Sequence, residues 1–247
     1  MINEIICKNC KHAFKGNFCN NCGQTAETHK INFHFLWHDI QHSLLHFDDG
    51  IPYSVKQLFT RPGHSIREFI EGKRVRHFKP VSLVVVLATL YGVLHHFFNV
   101  HLYQNISNNL TLGMDNYNEW LTTHFSWITI ATIPLFTIGT YICFRKQGYN
   151  FVEYFVLNSY KASQRLMVHI LAFPLFYYFN GSSKTNNINE ILYIFDVLLM
   201  VWTNIQFFNK LSFIKTLLLT LLSHMIFLMM LILIIISFLV LNGFKIT

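Results

Sequence analysis

The chain has 247 residues, of which 52% are hydrophobic and only 13% are charged, whereas an average soluble domain has about 25% charged residues. This composition excludes an ordinary soluble protein, because too little polar surface is available to keep a chain of this size in solution. The net charge of +7 is concentrated near the start, since 11 of the 19 Lys and Arg residues precede residue 80. We therefore expect a basic N-terminal module followed by a membrane domain. We expect no cleavable signal peptide, because "MINEIICKNCKH" lacks the apolar core that one requires.

The first motif consists of two CxxC pairs in the stretch "CKNCKHAFKGNFCNNCGQ". Its cysteines are Cys7, Cys10, Cys19 and Cys22. Each pair suits a tight knuckle that aims two thiolates at one ion, and Gly23 follows the second pair, where a residue free to take positive φ favours the turn. Four thiolates at about 2.3 Å form the closed tetrahedral site of structural zinc, which stabilises a segment too short to have a core. We predict a zinc ribbon over residues 1–26 with one structural Zn²⁺ per chain; the alternative is two redox dithiols or unpaired thiols.

The ribbon is basic and carries aromatic side chains, which suggests two kinds of partner. Lys8, Lys11 and Lys15 supply the charge, and Phe14 and Phe18 have rings that could stack on bases. Nucleic acid is the less favoured partner, because the unit is small and tethered to a membrane. We expect the ribbon to dock on a protein partner or on its own membrane domain.

Residues 27–80 are predicted to form cytosolic interfacial helices and a basic neck. The stretch "INFHFLWHDIQHSLLHFDDG" predicts an amphipathic helix suited to the bilayer interface, with histidines four residues apart on one face. The polar face carries His34, His38, Asp39, His42 and His46. Three interpretations remain open: a solvated polar face, a second metal site that Asp48 or Asp49 would complete, and a pH sensor whose protonated histidines bind anionic headgroups.

The neck, "TRPGHSIREFIEGKRVRHFKP", begins with a Pro-Gly turn, continues as a short helix that ends at Gly72, and finishes with basic residues. These are Lys73, Arg74, Arg76 and Lys79. Near an anionic cytoplasmic leaflet, each basic residue contributes about 1 kcal/mol to membrane binding. We interpret them as a topology determinant, with a specific lipid-headgroup site as the alternative.

Residues 81–247 hold five apolar stretches, and a membrane-crossing helix needs about 20 apolar residues. The stretches are roughly 81–100, 125–144, 166–179, 191–208 and 216–241. The third is short and could begin earlier, within "FVEYFVLNSYKASQ". The predicted fold class is therefore mainly α: a multi-pass α-helical membrane protein with about five transmembrane helices and a small N-terminal zinc ribbon.

Lys and Arg residues set the predicted orientation. Five alternating crossings with the N-terminus in the cytoplasm place 17 of the 19 Lys and Arg residues inside, as the positive-inside rule requires. The C-terminus is then outside. A cytosolic ribbon also favours a metal site over disulfides.

Ionisable residues within membrane helices are functional candidates. Asp196 is the clearest intramembrane carboxylate, and His95 and His96 lie near the outer end of the first helix. A pair of Asp196 with His95 or His96 would hold a proton or a cation on a path across the membrane. His169 and His224 also lie within predicted helices. Because the chain has no Gly-rich phosphate loop, no GxSxG and no HExxH motif, we predict no catalytic residues and favour a non-enzymatic role, while enzymatic activity stays open.

Several motifs together resemble a known family. The ribbon ending "FCNNCGQ", the amphipathic stretch ending "DDG" and the neck "RPGHSIREFIEGKRVRHFKP" are similar to a bacterial family of multi-pass membrane proteins, domain of unknown function 3667, over roughly residues 7–100. A weaker similarity lies in "FVEYFVLNSYKASQ". The resemblance implies a zinc ribbon on the four cysteines, followed by helices in a bacterial inner membrane. It implies no activity.

Three functional hypotheses follow. The leading hypothesis is a non-enzymatic membrane protein whose ribbon and histidine-rich helix recruit or sense a protein partner at the lipid surface, and a homo-oligomer is compatible with it. The second is a small transporter or channel subunit that uses Asp196 and intramembrane histidines. The third is a membrane-embedded metalloenzyme that uses the histidine stripe formed by His34, His38, His42 and His46.

Overall fold

The computed structural model of the chain describes residues 4–28, 30–33, 50–100 and 114–241, with the backbone alone at 114–123, 238, 239 and 241. The candidate second metal or pH-sensing site lies outside the described residues. This applies to His34, His38, Asp39, His42 and His46. The hypotheses that rest on them stay predictions.

The N-terminal ribbon is built on two very short strands, β1 (Ile5–Ile6) and β2 (Ala13–Phe14), which pair antiparallel. A single bridge between Phe18 and Thr25 forms a second, equivalent turn. The buried core of the ribbon consists of Phe14 and cysteine side chains. A unit with so small an apolar core needs another source of stability.

Two short helices follow, α1 (Gly50–Thr60) and α2 (Pro62–Glu71). Pro62 occupies the first turn of α2, where its missing N–H costs nothing. Gly72 ends the helix with φ of 112°, and its N–H donates to the carbonyl of Phe69. The predicted stop at Gly72 is confirmed.

Five long helices complete the described chain. They are α3 (Pro80–Phe97), α4 (Met114–Phe144), α5 (Phe151–Tyr178), α6 (Lys184–Phe207) and α7 (Phe213–Leu241). A short 3₁₀ turn, Arg145–Gln147, follows α4. The prediction of a mainly α-helical, multi-pass fold is confirmed.

Within the described residues, four helices are long and apolar enough to cross a membrane. The segments are Pro80–Phe97, His124–Gln147, Lys184–Phe207 and Phe213–Ser237. The predicted third crossing, 166–179, falls in α5, which is not among the four and carries Lys161 and Arg165 in its middle.

Helix α5 nevertheless runs beside the whole length of α3. At one end, the Tyr160 hydroxyl donates to the carbonyl of Phe78 at 2.7 Å. At the other end, the Asn180 amide donates to the carbonyl of Asn99 at 3.0 Å. The fifth crossing stays a prediction, and this side-by-side packing supports it.

The neck helices pack into one end of the helical bundle. The Gln164 amide of α5 donates to the carbonyl of Leu58 in α1 at 2.9 Å. Arg67 of α2 donates to the carbonyl of Phe207 at 3.1 Å, where α6 ends. Leu58 and residues of α2 share one hydrophobic core with the long helices. The neck is therefore continuous with the bundle in packing, and the long helices hold it in place.

Candidate metal centre and membrane-domain cavity

The four ribbon cysteines converge on one point. Their Sγ atoms all lie within 4.8 Å of one another, with 3.5 Å between Cys7 and Cys22 and 3.6 Å between Cys10 and Cys19. None is in a disulfide. A tetrahedral ion with metal–sulfur distances of about 2.3 Å separates its sulfur ligands by about 3.8 Å. The cluster therefore fits a single metal ion in a closed, four-thiolate site.

Two equivalent knuckles produce this convergence. In each, the first cysteine exchanges backbone hydrogen bonds with the residues four and five positions later. The partners are Lys11 and His12 for Cys7, and Gly23 and Gln24 for Cys19, at 2.8–2.9 Å. The residue four positions after the first cysteine has positive φ in both knuckles, 62° at Lys11 and 74° at Gly23. The expectation for Gly23 is confirmed, and the equivalent role of Lys11 was missed although the repeat of the motif indicates it.

The local environment shifts the pKa values of two of the cysteine thiols in opposite directions. Burial raises the pKa of Cys7 to about 11, whereas the backbone N–H of His12 lowers the pKa of Cys10 to about 6. Four thiolates so close together repel one another unless a cation lies among them. The donor set thus suits a soft divalent cation that deprotonates the remaining thiols on binding.

The ribbon is attached to its own helical domain. The backbone N–H of Arg74, just beyond α2, donates to the side-chain carbonyl of buried Gln24 at 3.2 Å. Ile31 is fully buried in the core of the helices, and its carbonyl accepts a hydrogen bond of 2.9 Å from Asn150, the N-cap of α5. Of the two docking modes expected from the sequence, attachment to its own domain is therefore present.

Two of the four predicted headgroup ligands have partners inside the neck. Lys73 forms an ion pair of 2.9 Å with Glu68. The Arg74 guanidinium donates to the carbonyl of Phe69 and lies over its ring. Arg76 is exposed and Lys79 is half-buried. The lipid-headgroup site stays a prediction, with Arg76 as its most accessible member.

Asp196 has a different partner from the one expected. Its Oδ2 lies 2.9 Å from Nε2 of His169 on α5. The expected pairing with His95 or His96 is absent: Nδ1 of His95 lies 3.0 Å from the carbonyl of Val100, and His96 is exposed. The reason is the order of the helices, since α3 packs mainly against α4 and α5, whereas α6 packs against α2, α5 and α7.

A cavity of about 100 Å³ lies beside this pair, between α4, α5, α6 and α7. Its polar lining includes Asn158, Lys161, Arg165, Tyr193, Asp196 and His224. Lys161 and Arg165 are two of the 17 basic residues that predict the orientation, and the structure places both in the cavity lining. Their spacing of four from each other, and of four to His169, places all three on one face of α5, and this signal was available in the sequence.

The interior around the cavity is a connected polar network. Lys161 Nζ donates to Oδ1 of Asn204 on α6 at 3.3 Å. The Asn204 amide donates in turn to the Thr220 hydroxyl of α7 at 3.0 Å. Thr203 donates to Gln164 of α5 at 3.0 Å. Three neighbouring helices are thereby linked through side-chain hydrogen bonds in their buried interior.

Comparison with protein families gives one match: residues 48–92 match the family described as "Protein of unknown function (DUF3667)". This match confirms the predicted resemblance to this family over residues 48–92. Comparisons with curated proteins and with solved structures found no match. The DUF3667 segment includes α1, α2 and most of α3, whereas the ribbon cysteines and the cavity lie outside it.

Within the DUF3667 segment, the motif residues have packing roles. A Cβ on Gly63 would collide with the backbone of Thr203 and Phe207, so glycine permits the close contact of α2 with α6. His77 is buried, with Nε2 2.9 Å from the Ser65 hydroxyl. These residues fix the neck against the bundle.

Proposed function

We propose that the helical domain binds and conducts a small polar solute across the membrane, as a small transporter or channel subunit. The observation that carries this proposal is the cavity beside the half-buried Asp196–His169 pair, which lies between α5 and three helices that are apolar enough to cross a membrane. Ionisable groups at such depth are costly and are functional candidates for that reason.

Unsatisfied polar atoms around the cavity support this function. Nε of Arg165, Oδ1 of Asp196 and Nδ1 of His224 are buried, and each lacks a hydrogen-bond partner among the described residues. Buried polar atoms in folded proteins nearly always have partners. Water or a solute in the cavity would supply them.

The ribbon in this proposal is a structural clamp on the cytosolic side, with one zinc ion on the four cysteines. Four thiolates with tetrahedral spacing suit zinc. Attachment of Gln24 to the end of α2 and of Ile31 to the start of α5 would hold the neck against the bundle.

The packing supports the predicted grouping of the segments on the two sides of the membrane. Segments predicted to be cytosolic meet at one end of the bundle, where Tyr149, between α4 and α5, contacts Phe207 at the end of α6 with 4.8 Å between ring centroids. Asn99 and Asn180 meet at the other end. An impermeant maleimide should therefore label Asn180→Cys, but not Gln147→Cys, in right-side-out vesicles of a Cys143→Ser chain.

The direct test is solute flux in proteoliposomes, with a panel of small inorganic anions, small carboxylates, alkali cations and neutral amino acids. We expect flux of one class, lost in Asp196→Asn at unchanged zinc content. Glu190→Gln is the matched control, since Glu190 is an exposed carboxylate on the same helix. Absence of flux for every solute, or equal flux in Asp196→Asn and Glu190→Gln, contradicts the proposal.

A second candidate function is recruitment of a protein partner by the ribbon. The observation that favours it is a pair of exposed apolar side chains on the ribbon, Ile6 and Phe18, which are 68% and 63% exposed. Replacing both with Ser should abolish capture of a partner from membrane extracts while zinc is retained. The exposed Lys15→Ser is the control, and equal capture by both variants would argue against recruitment through this surface. The metalloenzyme hypothesis rests on residues outside the described ones and gains no support.

A further inference from the structure

The cavity contains two cationic side chains whose hydrogen-bond donors are largely unused. Lys161 has one acceptor, Oδ1 of Asn204, at 3.3 Å. Arg165 has one, the Thr129 hydroxyl, at 3.4 Å, and its Nε is buried without a partner. Both acceptors are neutral and both distances are long for a hydrogen bond from a charged donor, which is typically 2.7–2.9 Å to a carboxylate. Among the described residues, neither cation forms an ion pair.

The remaining ionisable groups leave the cavity with an excess of positive charge. Asp196 is the one acidic residue among the described residues of its lining, and its Oδ2 is already bonded to His169. Nε2 of His224 lies 2.8 Å from the Tyr193 hydroxyl. A buried charge without a counter-charge is strongly unfavourable in a low-dielectric interior. An anion in the cavity would neutralise this excess.

The volume of the cavity limits the size of that anion. A cavity of 150 Å³ in another protein accepts benzene, which has six carbon atoms. By the same proportion, the cavity of about 100 Å³ accommodates about four non-hydrogen atoms, as in nitrate or acetate. Phosphate, with one atom more, is at the upper limit. Arg165 adds a preference for oxyanions, because a guanidinium donates two parallel hydrogen bonds to a pair of oxygens.

We propose that the cavity between α4, α5, α6 and α7 is a binding site for a small oxyanion, with Lys161 and Arg165 as its charged ligands. The Tyr193 hydroxyl lines the same space, whereas the Asn158 amide already donates to the Thr140 hydroxyl at 3.3 Å and to the carbonyl of Tyr154 at 2.9 Å. This inference identifies the class of solute for the proposed transport function. It rests on that function only in so far as the bound anion also crosses the membrane. A phosphate at the head of a lipid offers the same chemistry as the free anion.

The test is anion-dependent thermal stability of the full chain in a neutral maltoside detergent. Sodium nitrate, acetate and phosphate are compared with sodium gluconate, which is too large for the cavity, at equal ionic strength. We expect a saturable rise in Tm with at least one of the small anions and none with gluconate. Dihexanoyl phosphatidic acid is included, and stabilisation by it alone assigns the oxyanion to a lipid headgroup.

Variants locate the site. Arg165→Gln and Lys161→Gln should each weaken the apparent affinity by about tenfold or more, the usual scale for loss of a charged hydrogen bond. Lys215→Gln, a neutralisation at an exposed position of α7, should leave it unchanged. Equal affinity in Arg165→Gln and Lys215→Gln would overturn the proposal. If a variant does not fold, the size limit in the unmodified chain decides: equal stabilisation by gluconate and by the small anions, or none by any anion or the lipid, overturns it.

The outcome is separable from that of the flux measurement. Flux of a cation or a neutral solute that requires Asp196, with no anion-dependent stabilisation, overturns the oxyanion site and leaves transport standing. Anion binding that requires Arg165, without flux of any solute, supports the site and contradicts transport.

Discussion

Lys11 and Gly23 occupy the same position in the two knuckles, and both have positive φ. Glycine adopts this conformation without steric cost. A residue with a Cβ is destabilised by about 1–2 kcal/mol in the left-handed region. One knuckle is therefore intrinsically less stable than the other, and binding of the metal must offset the difference.

Substitutions at these two positions should change zinc retention in opposite directions. Lys11→Gly should slow the release of zinc to a chelator, and Gly23→Ala should accelerate it. In each case the folded knuckle is stabilised or destabilised by about 1 kcal/mol. Apart from the two residues next to it in the chain, no atom lies within 4 Å of a Cβ at Gly23, so the effect there comes from the backbone alone. Lys15→Gly is the control for loss of charge. Faster release from Lys11→Gly than from the unmodified chain would refute this explanation.

His77 is a second residue whose local chemistry has a measurable consequence. It is buried between α1 and α2, beside the rings of Tyr53 and Phe69. Burial lowers the pKa of His77 to about 4, although Glu68 opposes the shift. The unfolded pKa is about 6.5, so between pH 6.5 and 4 the unfolded chain binds a proton that the folded chain does not.

Stability of the chain should therefore decrease as the pH falls from about 6.5 towards 4. The contribution of His77 is fully present above pH 6.5, and the loss reaches about 2–3 kcal/mol. His77→Gln should flatten this part of a Tm-against-pH curve in detergent, whereas His64→Gln, at an exposed position of α2, should not. The same slope in His77→Gln and in the unmodified chain would show that another group is responsible.

At the scale of the elements, helix contacts in the bundle depend on small residues. Gly63 brings α2 against α6, and Gly139 brings α4 against α7, where a Cβ would lie 2.6 Å from the carbonyl of Ser223. Small residues that let backbones approach closely are a common basis of helix association in membranes.

Gly63→Ala should destabilise the protein even though alanine is the better helix former by about 1 kcal/mol. The added methyl group collides with the backbone of α6, and overpacking of this kind costs about 1–3 kcal/mol. Thermal unfolding in detergent measures the difference, with Glu71→Ala, at an exposed position of α2, as the control. A higher Tm for Gly63→Ala than for the unmodified chain would mean that the two helices are not held in this contact.

The beginnings of helices were harder to predict than their existence. Apolarity predicts the third crossing from 166, whereas α5 begins at Phe151, because a helix continues through polar residues that face a buried cavity. The start was readable from another signal: Asn150 and Glu153 form a capping box, with each side chain bonded to the backbone of the other residue.

At the scale of the whole molecule, the order of ribbon, neck and helices followed from composition and motif spacing. The neighbours of each helix did not, because apolar periodicity carries no information about which helices touch. The predicted pairing of Asp196 with His95 or His96 was therefore wrong, since its partner is His169. Nothing in the sequence indicated that Lys161 and Arg165 lie in the same cavity as Asp196. The four-cysteine cluster was predictable in full, since its ligands lie within 16 consecutive residues.

The fold of the ribbon and its docking depend on one claim, that the four cysteines hold a single metal ion. Metal content per chain in detergent-purified protein tests this claim directly. We expect about one zinc ion per chain, unchanged in His38→Ala/His42→Ala and lost in Cys7→Ser. No metal in the unmodified chain would contradict a structural centre on the four cysteines. About two ions, with one lost in the histidine variant, would contradict a single closed site and establish a second one on the histidine stripe.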